Sequence, residues 1–502
     1  METSAILNAQ SILDSYFAFL GNHNYEKAKE VSEKERDKLM AKGQQTSAVL
    51  SSLLTACSQM AVGEKNYMCS NFLAPKGFLR KDNSLKVMYE SLRNEFKRLK
   101  ERGNYTDTNI SSSIPSSTTS TPLAGTPSTP TTLSPNVETP TGSLMSCTST
   151  TSNSSTSVSS SVPVTISSSK STGTGIEILD YFCSHICEQL YSFVIARIEM
   201  MEIYEQLSSC WSQKFLTFEN VINHLIEIVK VNGKKFHHPL LTPIKTVFTY
   251  ESEALLNLLQ AHCEIQNWKF LPSLFNLQDA HSKLGAWLNN AVPKDSPRRG
   301  SFGIIQKATP LHQWLCKIKY HLLAKFSLYF YTILSKQTNN QEMKSLFSKQ
   351  SVDYCYKITT FQRKSDASCI MIIFDTHNGE DYKGHGYRLP KSPIEPVKGL
   401  DTFPPIVVFP ADKQISNHLP SIIMMMTDKT RELNATDNLV YFYDEQVSTT
   451  YFLMRPDPRM TLVLMFDCKK TAKDPYITTF IQEIYSSLKG NKIFATLKPG
   501  SK

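Results

Sequence analysis

Apolar residues recur at helical spacing over most of the chain. Ile6, Leu7, Ile12, Leu13, Tyr16, Phe17 and Leu20 repeat at intervals of three and four, which marks one face of a helix. Gly21 follows as its expected C-cap. A charged helix with few apolar positions is predicted over Tyr25 to Met40, and a more buried one over Ser47 to Leu73. Ser84 to Arg102 carries the stripe Leu85, Met88, Leu92, Phe96 and Leu99, with Asn83 or Ser84 as N-cap. Gly175 to about Cys210 predicts one long amphipathic helix. More helices are expected near Thr217–Val231, Pro243–Asn267, Ser273–Asn290, Pro310–Lys336 and Gln341–Arg363. Pro243 and Pro310 fall in first turns, where proline is tolerated.

Beyond residue 366 the texture changes. Short apolar runs bounded by turn residues predict strands at Ser368–Phe374, Pro405–Phe409, Ser421–Met426, Leu439–Tyr443, Thr450–Met454 and Thr461–Phe466. Asp474 to Leu488 reads as a helix with Ile477, Phe480, Ile481 and Ile484 inward, and Lys492 to Leu497 as a last strand. The expected class is α+β: an N-terminal multi-helix bundle with a disordered insertion, then a C-terminal, mostly antiparallel sheet with a covering helix.

The insertion is compositional. From 104 to 174, 40 of the 71 residues are Ser or Thr, and the only charges are Asp107, Glu138 and Lys170. Such a segment buries too little apolar surface to offset the entropy of ordering. Its Ser/Thr-Pro steps, such as Thr121-Pro122 and Thr139-Pro140, suit either proline-directed phosphorylation or a plain solvated spacer. The organisation expected is therefore 1–103 and 175–366 as two parts of one helical domain, 104–174 as a linker, and 367–502 as the α+β domain.

Charge and cysteines narrow the function classes. The chain has 502 residues and a formal charge of +9, dispersed among acidic residues on polar helix faces rather than gathered in an aromatic-laced stripe. Nucleic-acid binding is therefore not expected, although weak attraction to an anionic membrane surface stays open. No apolar run reaches membrane-spanning length. Met1-Glu2-Thr3-Ser4 lacks a basic region followed by an apolar core, so no secretory leader is expected. Eleven scattered cysteines without a CxxC pair suggest reduced thiols in the cytosol.

Motifs for chemistry are sparse. GxxxxGK[ST], GxSxG, HExxH and the kinase signatures are all missing. Cys183 and Cys187 share a helix face, while His185 points elsewhere. A zinc site there would need two further ligands. Phe236-His237-His238-Pro239 reads as a packed loop, and no metal or other cofactor is expected. The loop Asp375 to Tyr387 is the most enzyme-like stretch. Asp375, His377, Glu380, Asp381 and His385 could serve acid–base or metal chemistry. The alternative to a binding role is accordingly a metal-dependent or acid–base hydrolase using this loop. As a binding loop, its candidate partner-surface residues are His377, His385 and Tyr387. Arg298-Arg299-Gly300-Ser301 makes Ser301 a candidate phosphosite, since phosphate there would sit beside two arginines. The aromatic stretches at Trp268–Pro272 and Ala324–Phe330 fit core packing between helices or an exposed partner patch.

Several of these segments carry a resemblance. FHHP at Phe236–Pro239, WKFLPSL at Trp268–Leu274, AKFSLYF at Ala324–Phe330, GHGY at Gly384–Tyr387, STTYFLMRPDP at Ser448–Pro458 and FATLKPG at Phe494–Gly500 occur in this order. With Tyr25–Lys29 near the start, they resemble the KICSTOR subunit two family over roughly residues 1–103 and 175–502. The resemblance implies a non-catalytic subunit of a scaffold on the lysosomal surface, with no catalytic residues to carry over. It implies as partners kaptin, an integrin-FG-GAP-repeat protein and a very large scaffold subunit. Through them it implies the GATOR complex, a GTPase-activating protein for Rag GTPases that restrains target-of-rapamycin kinase signalling when amino acids or glucose are scarce. The family pattern has only a short connector where this chain carries its Ser/Thr-rich insertion.

Overall fold

The computed structural model describes residues 2–41, 47–74, 84–108, 175–290, 308–377 and 398–499. The helical part opens with α1 (Glu2–Gly21), α2 (Tyr25–Ala41), α3 (Ala48–Met68) and α4 (Leu85–Thr108). It continues with α5 (Gly175–Ser209), α6 (Glu219–Val231), α7 (Thr242–Gln266) and α8 (Phe270–Asn290). Last come α9 (Pro310–Tyr329), the single turn α10 (Tyr331–Leu334), α11 (Asn340–Ser348) and α12 (Tyr354–Lys364). Ser47, Thr309, Asn339 and Asp353 cap α3, α9, α11 and α12 with their side-chain oxygens. Ser84 accepts from the Val87 amide at 3.3 Å and starts α4, as expected.

Helices α4 and α5 run antiparallel. Lys86 pairs with Glu202 at 2.7 Å, while Lys100 pairs with Glu188 at 2.6 Å and accepts, through its carbonyl, the Ser184 hydroxyl at 2.7 Å. Residues 109–174, outside the described residues, therefore connect two helix ends that lie side by side.

The second part holds β1 (Cys369–Phe374), β2 (Pro405–Phe409), α13 (Leu419–Asp428), α14 (Thr430–Leu433), β3 (Val440–Asp444), β4 (Thr449–Asp457), β5 (Met460–Phe466), α15 (Pro475–Lys489) and α16 (Asn491–Ala495). The strands form one sheet, ordered β2-β1-β5-β4-β3, and every pair is antiparallel. Alternation splits the side chains between two faces. Ile370, Ile372, Phe374, Phe452, Leu462 and Leu464 join the core of the helical part and of α15. Cys369, Met371, Ile373, Leu453, Val463 and Met465 pack under α13 and α14. The sheet is thus covered on both faces, and its bundle-side face continues the helical core.

The fold class matches expectation, and five local readings are corrected. Ser421–Met426 is helical, not a strand. Ile422, Met425 and Met426, spaced at three and four, go down onto the sheet while Met424 stays out. A six-residue apolar run carries too little periodicity to separate the two. Lys492–Leu497 is not a strand: α16 holds Phe494 inward, with Leu497 a turn later. The expected helix over Gln341–Arg363 is two helices, parted where Asp353 caps the second. Pro310–Lys336 breaks at Phe330 (φ −106°, ψ 18°). Gly21 closes α1 for a different reason than a left-handed cap. A Cβ there would lie 2.5 Å from that of Pro243, so the glycine lets α1 approach α7.

Two buried polar networks cross the core. Arg197 on α5 donates from Nε and Nη2 to Glu64 on α3 (3.0 and 2.9 Å) and from Nη1 to Glu251 on α7 (2.5 Å). Tyr89 donates to Glu64 at 2.6 Å, and Tyr67 and Tyr204 donate to Glu251 at 2.5 and 3.1 Å. Burial, then the adjacent carboxylates, pushes these three phenols well above their usual range and keeps them donors. The second network centres on Asp457, at the end of β4. It accepts from Lys325 (2.8 and 2.7 Å to its two oxygens), Tyr329 (2.5 Å) and Gln266 (2.9 Å), joining the sheet to α7 and α9. Burial alone would raise the Asp457 carboxyl, but Lys325 and its other neighbours hold it below its usual range.

Removing one member of the first network leaves buried charge unpaired. Arg197→Met is expected to cost about 3–5 kcal/mol, read as a drop in urea midpoint. Beside Asp457, His262 is buried and His321 is half-buried with its Nε2 shut off from solvent, and burial followed by Lys325 lowers both to about 3 from 6.5. Between those values the unfolded chain takes up protons that the folded chain refuses. Stability is therefore complete above pH 6.5 and falls as pH drops toward 3, by about 1.4 kcal/mol per pH unit for each histidine. Denaturant unfolding at pH 7 and pH 5 should show this slope, and the double variant His262→Asn/His321→Asn should remove their share of it, leaving that of His23, which burial lowers to about 4.

Candidate partner-binding surfaces

The sequence-derived candidates start where β1 ends. Asp375 is fixed through its backbone: its amide donates to the Arg459 carbonyl, and its carbonyl accepts from Arg459 Nε, both at 2.8 Å. The same guanidinium donates to Asn267 on α7 at 3.0 Å and lies 4.5 Å above the Phe374 ring. Thr376 donates to the Thr402 carbonyl at 3.0 Å. His377 turns back, with its amide and Nδ1 both 2.9 Å from Asp375 Oδ1 and its ring 4.9 Å from that of Phe403. This arrangement ties the two stems of the 378–397 segment to each other and to α7.

Asp375 and His377 are therefore brought together. Glu380, Asp381, His385 and Tyr387 lie outside the described residues, as do Arg298, Arg299 and Ser301. An Asp–His pair orients an imidazole, yet hydrolytic chemistry also needs a nucleophile or metal. Among the described residues, no group of three or more His, Cys, Asp or Glu could hold a metal ion. Cys183 and Cys187 are buried side by side on α5, where burial raises both thiols, to about 12 at Cys183. His185 faces out to Gln189 and His238. Gln189 also accepts the His237 and His238 amides at 2.7 Å each, which makes the FHHP segment a packed loop with Phe236 in the core.

The aromatic stretches split between core and surface. Trp268 is buried, donates to the Tyr329 carbonyl at 3.0 Å and stacks on Phe330, while Phe270 packs on Phe326 and Phe330. Leu274 and Phe275 of α8 are exposed instead.

One aromatic surface had no sequence signal. A groove of about 460 Å³ runs between α12 and α15, with Phe361 and Phe480 stacked at its floor (3.7 Å, 2°). Tyr356 and Tyr476, 66% and 53% exposed, stand at its sides. Lys357 bridges the rim to Glu483 at 2.5 Å. A second hollow, about 650 Å³, lies on the other side of α12, against α11. Reading 341–363 as one continuous helix left no boundary at Asp353, and so no separate α12 for either hollow to flank.

Comparison with known proteins adds a family. A family model described as "KICSTOR complex C12orf66 like" matches residues 2–118 and 148–502. The curated protein "KICSTOR subunit 2" of Danio rerio is 35% identical over 509 aligned residues, covering all of this chain and 98% of the relative. Its namesake from Xenopus laevis is 36% identical over 510, covering all of this chain and 99% of the relative. The unmatched residues 119–147 fall inside the Ser/Thr-rich insertion.

The stem geometry gives a test. Arg459→Ala should raise amide exchange at Asp375–His377 and Leu400–Phe403 by about tenfold, with a stability loss of about 1–3 kcal/mol from its broken hydrogen bonds. Hydrogen-exchange mass spectrometry and a denaturant titration read the two effects.

Proposed function

The chain belongs to the KICSTOR complex family matched along its length, and from that membership we propose that it is a non-catalytic adaptor subunit. In this reading it assembles with a kaptin-type chain, an integrin-FG-GAP-repeat protein and a very large scaffold subunit. The complex holds GATOR at the lysosomal membrane and so restrains target-of-rapamycin kinase signalling when amino acids or glucose are scarce. The observation that carries the reading is the similarity over the whole length to proteins named KICSTOR subunit 2.

The physics of the fold suits tethering. An adaptor works by raising the effective concentration of what it joins, so it needs a stiff frame with several separate surfaces. Both networks stiffen the frame, and the helical and α+β parts each offer surfaces. Among the described residues, no helix is long and apolar enough to cross a membrane, and lysosomal placement in this reading is peripheral. The second reading, a hydrolase around Asp375, His377 and His385, has only the Asp375–His377 contact behind it.

Affinity purification of the chain at native abundance, read by mass spectrometry, tests the proposal. The expected result is recovery of the other complex subunits together with GATOR. The double variant Asp375→Asn/His377→Ala should recover them equally well. Absence of those proteins in cells that express them would overturn the adaptor reading, and a loss confined to the double variant would point to the 375–387 loop.

A further inference from the structure

The two edges of the sheet are built differently. The β2 edge is shielded: the strand starts on Pro405, its pairing with β1 shifts register between Ile372 and Ile373, and Thr332 of α10 donates to the Ile406 carbonyl at 2.8 Å. Proline, irregular register and a covering element are the usual means of blocking edge-to-edge pairing. The β3 edge has none of these. Val440 to Asp444 pairs with Thr449 to Leu453 in unbroken register, and Val440-Tyr441-Phe442-Tyr443 contains neither proline nor lysine. In an antiparallel pair, every second residue directs both its N–H and its C=O away from the partner strand. Among the described residues, no hydrogen bond reaches those outward groups of β3. Tyr441, Phe442 and Tyr443 flank them, only partly buried.

We propose that β3 is a docking edge which an extended segment of another chain of the complex completes as a sixth strand, with an apolar centre and basic residues beside the Asp444–Glu445 end. The charges choose the occupant. Asp437 precedes the strand, and Asp444 and Glu445 end it. Asp437 is 68% exposed in its side chain, with Lys489 3.8 Å away. Lys469 lies over one face, 5.0 Å from the Tyr443 ring, not at the strand ends. At the Asp437 end the acid is already met by Lys489, and Lys214 sits on the Ala435 carbonyl at 2.7 Å. Among the described residues no ion pair meets Asp444 or Glu445, so a strand with basic residues beside that end meets attraction there. Outward backbone groups supply the hydrogen bonds, and the aromatic side chains supply apolar contact on each face, as in β-strand addition generally.

The inference rests on the adaptor reading, and the experiment separates the two. Hydrogen-exchange mass spectrometry is run on the full chain alone and on the complex purified with it. In the isolated chain, the outward amides of Val440–Asp444 should exchange fast, and in the complex at least tenfold more slowly. Proline placed at whichever of Phe442 and Tyr443 exchanges fast, combined with Glu445→Lys, should cut recovery of the other subunits at least tenfold, and more than alanine at the same position, which loses the same ring but keeps the outward amide, both variants being folded by circular dichroism. Glu445→Lys alone should give a smaller loss and serves as the variant least able to disturb folding. Unchanged exchange and recovery would overturn the docking edge while leaving the adaptor reading intact. Slow exchange already in the isolated chain would overturn it in favour of a segment of this chain, and a dimer by light scattering that the substitutions split would do so in favour of a second copy. Failure of the wild-type chain to recover any other subunit would overturn the adaptor reading, and this inference with it.

Discussion

Asp457 is the residue on which the two parts of the molecule depend. It closes β4, pairs across the turn with Met460 of β5, and accepts hydrogen bonds from Lys325, Tyr329 and Gln266. A carboxylate without bulk water is costly unless it is paired and fully hydrogen-bonded. This one has donors from both α7 and α9, so the sheet has one favourable seat on the bundle. The next turn residue, Arg459, extends the clamp to Asp375 and Asn267. Near the same junction, Gly490 (φ 72°) leaves room for His321, whose Nε2 would lie 2.3 Å from any Cβ at that position. Buried ion pairs contribute little net stability compared with apolar packing. What this cluster gives is a defined orientation between α7, α9 and the sheet.

That orientation matters for an adaptor more than for many enzymes. Binding free energy is what remains after the partners have paid for ordering, so surfaces already fixed relative to one another lose less on association. The Arg197 network does the same within the bundle, joining α3, α4, α5 and α7 through a single guanidinium. The tyrosines let one cation serve two carboxylates: Tyr67 and Tyr204 donate into the Glu251 oxygen that the arginine does not touch, and Tyr89 shares Glu64 Oε1 with it.

Periodicity made most of the helices legible, since stripes such as Leu85–Leu99 run over several turns. It failed where the signal was short. Ser421–Met426 has the composition of a strand, but it lies over one face of the sheet, where Ile422, Met425 and Met426 reach the core from one side of a helix. Arg197, Glu64, Glu251, Lys325 and Asp457 were illegible for another reason. In sequence they look like any solvated charge, and their partners lie far along the chain. The motifs behind the family resemblance were informative in a way that no local rule explains. Lys325 and Tyr329 of AKFSLYF meet Asp457 of STTYFLMRPDP, and Trp268 of WKFLPSL donates to the Tyr329 carbonyl. Three segments that look unrelated in sequence are one joint. Of the candidate partner-surface residues, only His377 lies within the described structure, and it packs at a loop stem.

The position of the insertion completes the argument. Residues 109–174 leave from the end of α4 and return at the start of α5, and these two helices lie antiparallel against each other. Their ends are already neighbours, so a connection there closes a loop whose entropy grows only with the logarithm of its length, about 0.6 kcal/mol per doubling. A lineage can double it at a cost smaller than that of one lost core methylene, about 0.8 kcal/mol. The core and both polar networks draw their residues from elsewhere. The stretch that the family match skips therefore sits where the fold constrains sequence least, and its Ser/Thr-rich composition could arise without disturbing the joint at Asp457 or the free edge of β3.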